Sequence, residues 1–281
     1  MKKLTIITLF FVVAGVARIA HAADLHQINI DLLWEASAGN ITRVQELIEK
    51  EHANIETKGC REETPLILAS QKQHTHIVEY LLEHGANVNA CSREGRTPLL
   101  YACYFSQATP IDLIETLIAH AADINHRDIY GGTALRWAIS DGKTEAINSL
   151  LAHQADVNSS DNDGYTILMN ACIRKNLTIV KRLLTLGADI YAKDERGHSA
   201  LWVAKLVGTP EIYRYLIDFV VVRESTLHAL LAADELAPAP EGYPAFAPEL
   251  IDRVLRPLIK ASLEEDQEWL LKAAQKQPRG V

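Results

Sequence analysis

Of 281 residues only four are cysteine, Cys60, Cys91, Cys103 and Cys172, and only 6% are aromatic. No C-x-x-C pair occurs, which leaves zinc ribbons and thioredoxin-like redox motifs without support. Gly-x-Ser-x-Gly, His-Glu-x-x-His and any glycine loop that could cradle a phosphate are also missing, so common routes to catalysis have no starting point. A Lys/Arg block is absent too. Lys and Arg total 28 against 36 Asp and Glu, a formal net charge of −8. Clustered positive charge is what phosphate backbones and anionic lipids recognise, so neither nucleic acid nor a lipid surface is an expected partner. With 48% hydrophobic and 23% charged residues, the composition also excludes disorder and collagen.

The start of the chain differs in kind from the rest. Lys2 and Lys3 precede an apolar and small-residue run from Leu4 to Ala17, and Ala20-His21-Ala22 has the small-x-small form of a cleavage site. That is the pattern of a secretory signal peptide over residues 1–22, cut near Ala22. The run is short for a membrane span, and no cysteine directly follows it to carry a lipid. Membrane insertion after cleavage is therefore not expected. Cleavage removes Lys2, Lys3 and Arg18 and moves the formal charge from −8 to −11. The expectation is a periplasmic or secreted protein.

Self-similarity organises the rest of the chain. Thr64-Pro65-Leu66, Thr97-Pro98-Leu99, Thr133-Ala134-Leu135, Thr166-Ile167-Leu168 and Ser199-Ala200-Leu201 begin at intervals of 33, 36, 33 and 33 residues. Ala36, Ala69, Ala102, Ala138, Ala171 and Ala204 form a second column, which adds a degenerate first copy opening at Asp31-Leu32-Leu33. Within each period the apolar positions keep helical spacing, as in Ile77, Val78, Leu81 and Leu82. Thr at the N-cap and Pro at the first helical position open the first helix. Gly85 or Gly187 closes the second. Asp128, Asp161 and Asp194, each with glycine three residues later, mark a turn.

A period of 33, Thr-Pro-Leu opening a helix, Leu-Leu-x-His-Gly-Ala-Asn-Val-Asn over 81–89 and an Asp-x-x-Gly turn resemble the ankyrin repeat. The resemblance covers residues 31–219 in six copies and implies an all-α solenoid: helix-turn-helix repeats joined by short hairpin-like turns, with a C-terminal helical segment. The family's histidine after Thr-Pro-Leu is replaced by Trp34, Ile67, Leu100, Arg136, Met169 and Trp202, so packing or water must do its bonding. Repeat three carries three extra residues around Ser106 to Pro110, expected to lengthen the loop between its helices. The helices of the first copy slip by one residue relative to each other.

Residues 220–281 leave the pattern. Val220 to Ala233 reads as a closing helix, and residues 235–248, with four prolines, as a linker. Beyond it, Leu250, Ile251, Val254, Leu255, Leu258, Ile259 and Leu263 fall at helical spacing. This stripe is expected to cover the open end of the solenoid, as terminal units must for solubility. Docking onto a partner is the alternative.

Candidates for chemistry have structural explanations. His84, His120 and His153 share a column, but stacked helices hold equivalent side chains roughly 9 Å apart, too far for one metal ion, while histidine suits a helix C-terminus. Asp161-Asn162-Asp163-Gly164 looks like part of a calcium loop, yet the twelfth ligand would be Asn170 where glutamate is required. Cys103 and Cys172 lie two repeats apart and are expected to be buried. Cys60 and Cys91 sit near neighbouring tips, where one repeat step exceeds the usual reach of a disulfide, about 7 Å between Cα atoms. Their pairing stays open.

A solenoid offers a groove, and in this family partners contact the turn tips and the exposed side of the first helix. Turns normally carry small polar residues, so Ile129, Tyr130 and Tyr165 are out of place there. With Tyr104 and Phe105 they would form an aromatic patch over repeats three to five, with Arg93, Arg96 and Arg174 around it, the residue types of interface hot spots. The functional expectation is a non-catalytic interaction scaffold. It would need no metal or cofactor, and as a monomer it would bind a protein of the cell envelope through its concave face. The alternatives are an inhibitor or immunity protein that blocks a toxin or hydrolase, an effector secreted beyond the cell, and an enzyme using the acidic cluster Glu264, Glu265, Asp266 and Glu268.

Overall fold

A computed structural model describes residues 24–104 and 111–220. The signal segment, Phe105, the insertion over 106–110 and everything from residue 221, with the closing helix, linker and apolar stripe expected there, lie outside the described residues.

Among the described residues twelve helices pair into six stacked units. They are α1 (24–38) with α2 (Ile41–Glu49), α3 (Pro65–Lys72) with α4 (Thr75–Glu83), α5 (Pro98–Tyr104) with α6 (Ile111–Ala119), α7 (Ala134–Ser140) with α8 (Thr144–Ala152), α9 (Ile167–Ile173) with α10 (Leu177–Thr185), and α11 (Ala200–Val207) with α12 (210–220). First helices stack on first helices and second on second. Among the described residues there is no β-strand, only the isolated bridges Ser160–Thr166 and Lys193–Ser199.

The caps act as the sequence implies. The side chains of Thr64, Thr133, Thr166 and Ser199 accept from the backbone N–H three residues on, and Thr97 does the same for Leu100 at 3.4 Å. Each such cap stabilises its helix by about 1 kcal/mol. Asn40 and Asn176 cap α2 and α10 in the same way. Behind the caps runs one continuous core, in which Leu66, Leu99, Leu135 and Leu168 are at most 1% exposed. Burying each leucine contributes about 1.5–3 kcal/mol.

Two hydrogen-bond ladders lock neighbouring repeats. Behind the second helices, Asn89 Oδ1 accepts from Asp123 N at 2.8 Å, Asn125 Oδ1 from Asp156 N at 2.9 Å and Asn158 Oδ1 from Asp189 N at 2.8 Å. Along the tips, Arg93 N–H donates to Arg61 C=O, Ile129 to Glu94, Asn162 to Tyr130 and Glu195 to Asp163. At three of the six positions the missing histidine is replaced by packing, since Ile67, Leu100 and Met169 are fully buried, while Trp34 and Trp202 stay exposed. At the fourth repeat Arg136 reaches forward instead, to the Tyr165 carbonyl at 3.1 Å and to Asp161 at 2.7 Å.

Candidate partner-binding surface

Each tip closes on its own acceptor. Asp128 Oδ1 accepts from Tyr130 N at 3.0 Å and Gly132 N at 2.7 Å, Asp161 Oδ1 from Asp163 N and Tyr165 N, and Asp194 Oδ1 from Arg196 N and His198 N. Ser92 Oγ takes this part for Arg96 N. The geometry separates two kinds of tip position. The two residues after the acceptor point outward, except Glu94, which accepts from the Tyr101 hydroxyl, whereas the fourth, namely Arg96, Gly132, Tyr165 or His198, closes the turn, and its side chain, where it has one, turns toward the first helix.

That division decides where the expected patch residues go. Ile129 and Tyr130 are outward residues, 54% and 55% exposed. Arg93 is also outward and exposed. Arg96 is a closing residue and is only 8% exposed, so it is a support beneath the patch and not part of its rim. Tyr165 is likewise turned inward and packs against the core; burial pushes its phenol up to about 12. Arg174 is exposed at the C-cap of α9.

Arg96 organises the centre. Its guanidinium carbon lies 4.7 Å from the Tyr104 ring centroid, 5.3 Å from Trp137 and 6.0 Å from Tyr130. Tyr104 and Trp137 meet edge to face with centroids 4.5 Å apart. Beneath them Asp128 Oδ2 accepts from Trp137 Nε1 at 3.1 Å and from Arg96 Nε at 3.5 Å. Asp128 thus holds the tip, the indole and the guanidinium with one carboxylate. Cation–π contacts of this kind contribute about 0.5–2 kcal/mol each. Gly132 makes the arrangement possible, because a Cβ there would lie 2.6 Å from Trp137 Nε1.

Trp137 joins the patch although sequence reading does not point to it. It stands one residue before the column alanine Ala138, where repeat three has Tyr101, whose hydroxyl donates to its own tip at Ser92 and Glu94. An aromatic with a polar handle at that position, facing Asp128 across Gly132, was the available signal.

The side chains read as structural are engaged as such. His84 Nδ1 donates to the Tyr80 carbonyl at 2.8 Å and His120 Nδ1 to Thr116 at 2.9 Å, while His153 pairs with Glu115 at 2.9 Å. Asp161 is committed to its turn and to Arg136. The cysteines are all free, and burial pushes the thiols of Cys103 and Cys172 up to about 12. Among the described residues there is no grouping of His, Cys, Asp and Glu suited to a metal ion, and no helix is long and apolar enough to cross a membrane.

Stacked helix pairs with a ladder of tips, a continuous core and exposed apolar residues at the tip of Ile129 and Tyr130 define a repeat-built binding scaffold. The family model for ankyrin repeats, in three copies, matches residues 32–128 and 106–194, and the chain belongs to the ankyrin-repeat family. Its fold is similar to the ankyrin repeat domain of Bcl-3, a member of the IkappaB protein family. The TM-score is 0.60 at 28% identity, over 67% of this chain and 85% of that one. By sequence it is 34% identical over 85 residues to the E3 ubiquitin-protein ligase XBAT33 of Arabidopsis thaliana, covering 30% of this chain and 16% of that protein. It is 44% identical over 66 residues to Ankyrin repeat and KH domain-containing protein 1 of Homo sapiens (24% and 2%). To the putative ankyrin repeat protein FPV031 of Fowlpox virus (strain NVSL) it is 35% identical over 101 residues (36% and 29%). The chain spans less than a third of the length of each of these relatives. Ankyrin repeats are protein–protein interaction scaffolds, generally without catalysis of their own.

Proposed function

We propose that this chain is an exported scaffold without chemistry of its own, acting in the periplasm and holding a protein of the cell envelope against the tips and first helices of repeats three to five. The observation that carries this reading is the pair Ile129 and Tyr130, large apolar side chains more than half exposed at a turn. Beyond the long contact of Tyr130 with the Arg96 guanidinium at 6.0 Å, such side chains add little to the turn that carries them, and their backbone is held fixed by Asp128 and by ladder bonds to Glu94 and Asn162. Rigid, exposed aromatic anchors bind at low entropic cost, which is the usual make-up of a hot spot. Arg93 and Arg174 are exposed in the neighbouring repeats and supply polar contacts around them.

The test uses the mature chain, without residues 1–22, as immobilised bait in an envelope extract, with an Ile129→Ala/Tyr130→Ala variant as control. Support is a protein captured by the parent and lost from the variant while the helical signal is unchanged. Equal capture by both moves the site elsewhere. Export is tested by fusing residues 1–22 to a reporter that is active only outside the cytoplasm; an inactive fusion removes the periplasmic assignment.

A further inference from the structure

The last described repeat is built to be covered on its outer side. Two columns face the next repeat along. In repeats two to five the leucine of the Thr-Pro-Leu column is at most 1% exposed, at Leu66, Leu99, Leu135 and Leu168, yet it is half-buried at Leu201, as at Leu33 of the degenerate first copy. In repeats two, three and five the next column is fully buried, at Ile67, Leu100 and Met169, while Arg136 is half-buried and Trp34 of the degenerate first copy is 73% exposed; Ile67 packs on Ala90 and on Tyr101 of the succeeding repeat. Its counterpart Trp202 is 43% exposed, with only the His198 ring stacked on it at 3.5 Å. Side chains of interface type therefore face outward where another layer would stand. Uncovered apolar faces at solenoid ends cost solubility, which is why such ends need a cap.

We propose that the occupant of this face is residues 249–271 of the same chain. Sixty-one residues come after Val220, which ends the described part of α12 on this side of repeat six. They contain an apolar set at helical spacing, Leu250, Val254, Leu255, Leu258 and Ile259, then Trp269, and no further copy of the Thr-Pro-Leu phrase. The tether excludes little in geometry and much in competition: a segment joined by a short linker meets its site at an effective concentration in the millimolar range, far above that of a second copy or a free partner. The stripe would supply the apolar layer that Leu201 and Trp202 lack, with the proline-rich stretch 235–248 as the connection that lets it return.

The experiment places a benzophenone photo-cross-linker at position 202 of the full chain (Trp202→p-benzoylphenylalanine) and irradiates an equal mixture of ordinary and ¹⁵N-labelled protein. Cross-linked peptides are then identified by mass. The proposal expects cross-links from position 202 to residues 249–271, with both halves carrying the same isotope, and their loss in a Leu255→Asp/Leu258→Asp variant. Mixed-isotope cross-links would assign the face to a second copy and overturn the proposal. So would cross-links that avoid 249–271 altogether. Should the aspartate variant fail to fold, the isotope pattern of the parent decides alone.

Discussion

Replacing Asp128 by asparagine is the sharpest probe of how the surface is supported. The Asp128 side chain has no exposed area and that of Arg96 has 10%. Asparagine keeps an oxygen for Tyr130 N–H and Gly132 N–H, but presents an NH₂ group to Trp137 Nε1–H and to the Arg96 guanidinium, at positions 3.1 and 3.5 Å from the original oxygen. Two donors then face donors, and a nearly buried cation has lost the charge of Asp128. Breaking one partner of a buried pair costs about 3–5 kcal/mol. The 3.5 Å separation and the residual exposure of Arg96 place the expected loss at the lower end, about 3 kcal/mol. Arg96→Met leaves an apolar stem under the rings, and the Asp128 carboxylate keeps three N–H donors, from Tyr130, Gly132 and Trp137, so the expected cost is lower, about 1–2 kcal/mol. In the double variant the asparagine has no buried cation to strand, so the two losses should fall short of additivity by at least about 1 kcal/mol. Urea unfolding monitored by tryptophan fluorescence and by circular dichroism gives all four values, and agreement of the two probes checks that unfolding is two-state. A loss below about 0.5 kcal/mol for Asp128→Asn, or strict additivity, would refute the role given to this carboxylate.

Single positions carry further expected outcomes. Ala121 and Gln154 hold φ of 63° and 62° where the equivalent Gly85 and Gly187 hold 86° and 89°. Gln154→Gly should therefore relieve left-handed strain and raise stability by up to about 1 kcal/mol, seen as a higher thermal midpoint; a lower midpoint would contradict the strain. Gly132→Ala pushes a methyl to 2.6 Å from Trp137 Nε1 and should cost about 1–3 kcal/mol and shift the Trp137 indole N–H resonance. An unchanged resonance would mean the indole lies elsewhere. Native protein at about pH 8 should show rapid reaction of the exposed Cys60 with a thiol reagent, while Cys103 and Cys172, buried and with thiols pushed up to about 12, stay unreacted until unfolding. Labelling of Cys103 in the folded chain would show that its repeat opens.

The period and the caps were legible because each column repeats a residue whose physical role does not depend on its neighbours: a hydroxyl at an N-cap, alanine where helices touch, a carboxylate at the turn. The surface was legible only in part. Ile129 and Tyr130 stood out because outward tip positions reward polarity. Arg96 and Tyr165 are close to them in sequence and look alike, but both fall on the residue that closes the turn with paired backbone bonds to Ser92 and Asp161. That phase within the turn sends their side chains inward. Trp137 was hidden because its partners, Arg96 and Asp128, come from two different tips, and Gly132 is what admits the indole. Contacts between repeats leave no spacing to read.

The claim that Ile129 and Tyr130 anchor a protein partner is tested most directly by its dissociation constant. Once the captured partner is purified, calorimetric titration against the parent and the Ile129→Ala/Tyr130→Ala variant should show affinity falling by about 30-fold or more, equivalent to about 2 kcal/mol, with the urea midpoint of the scaffold unchanged. Equal dissociation constants would contradict it.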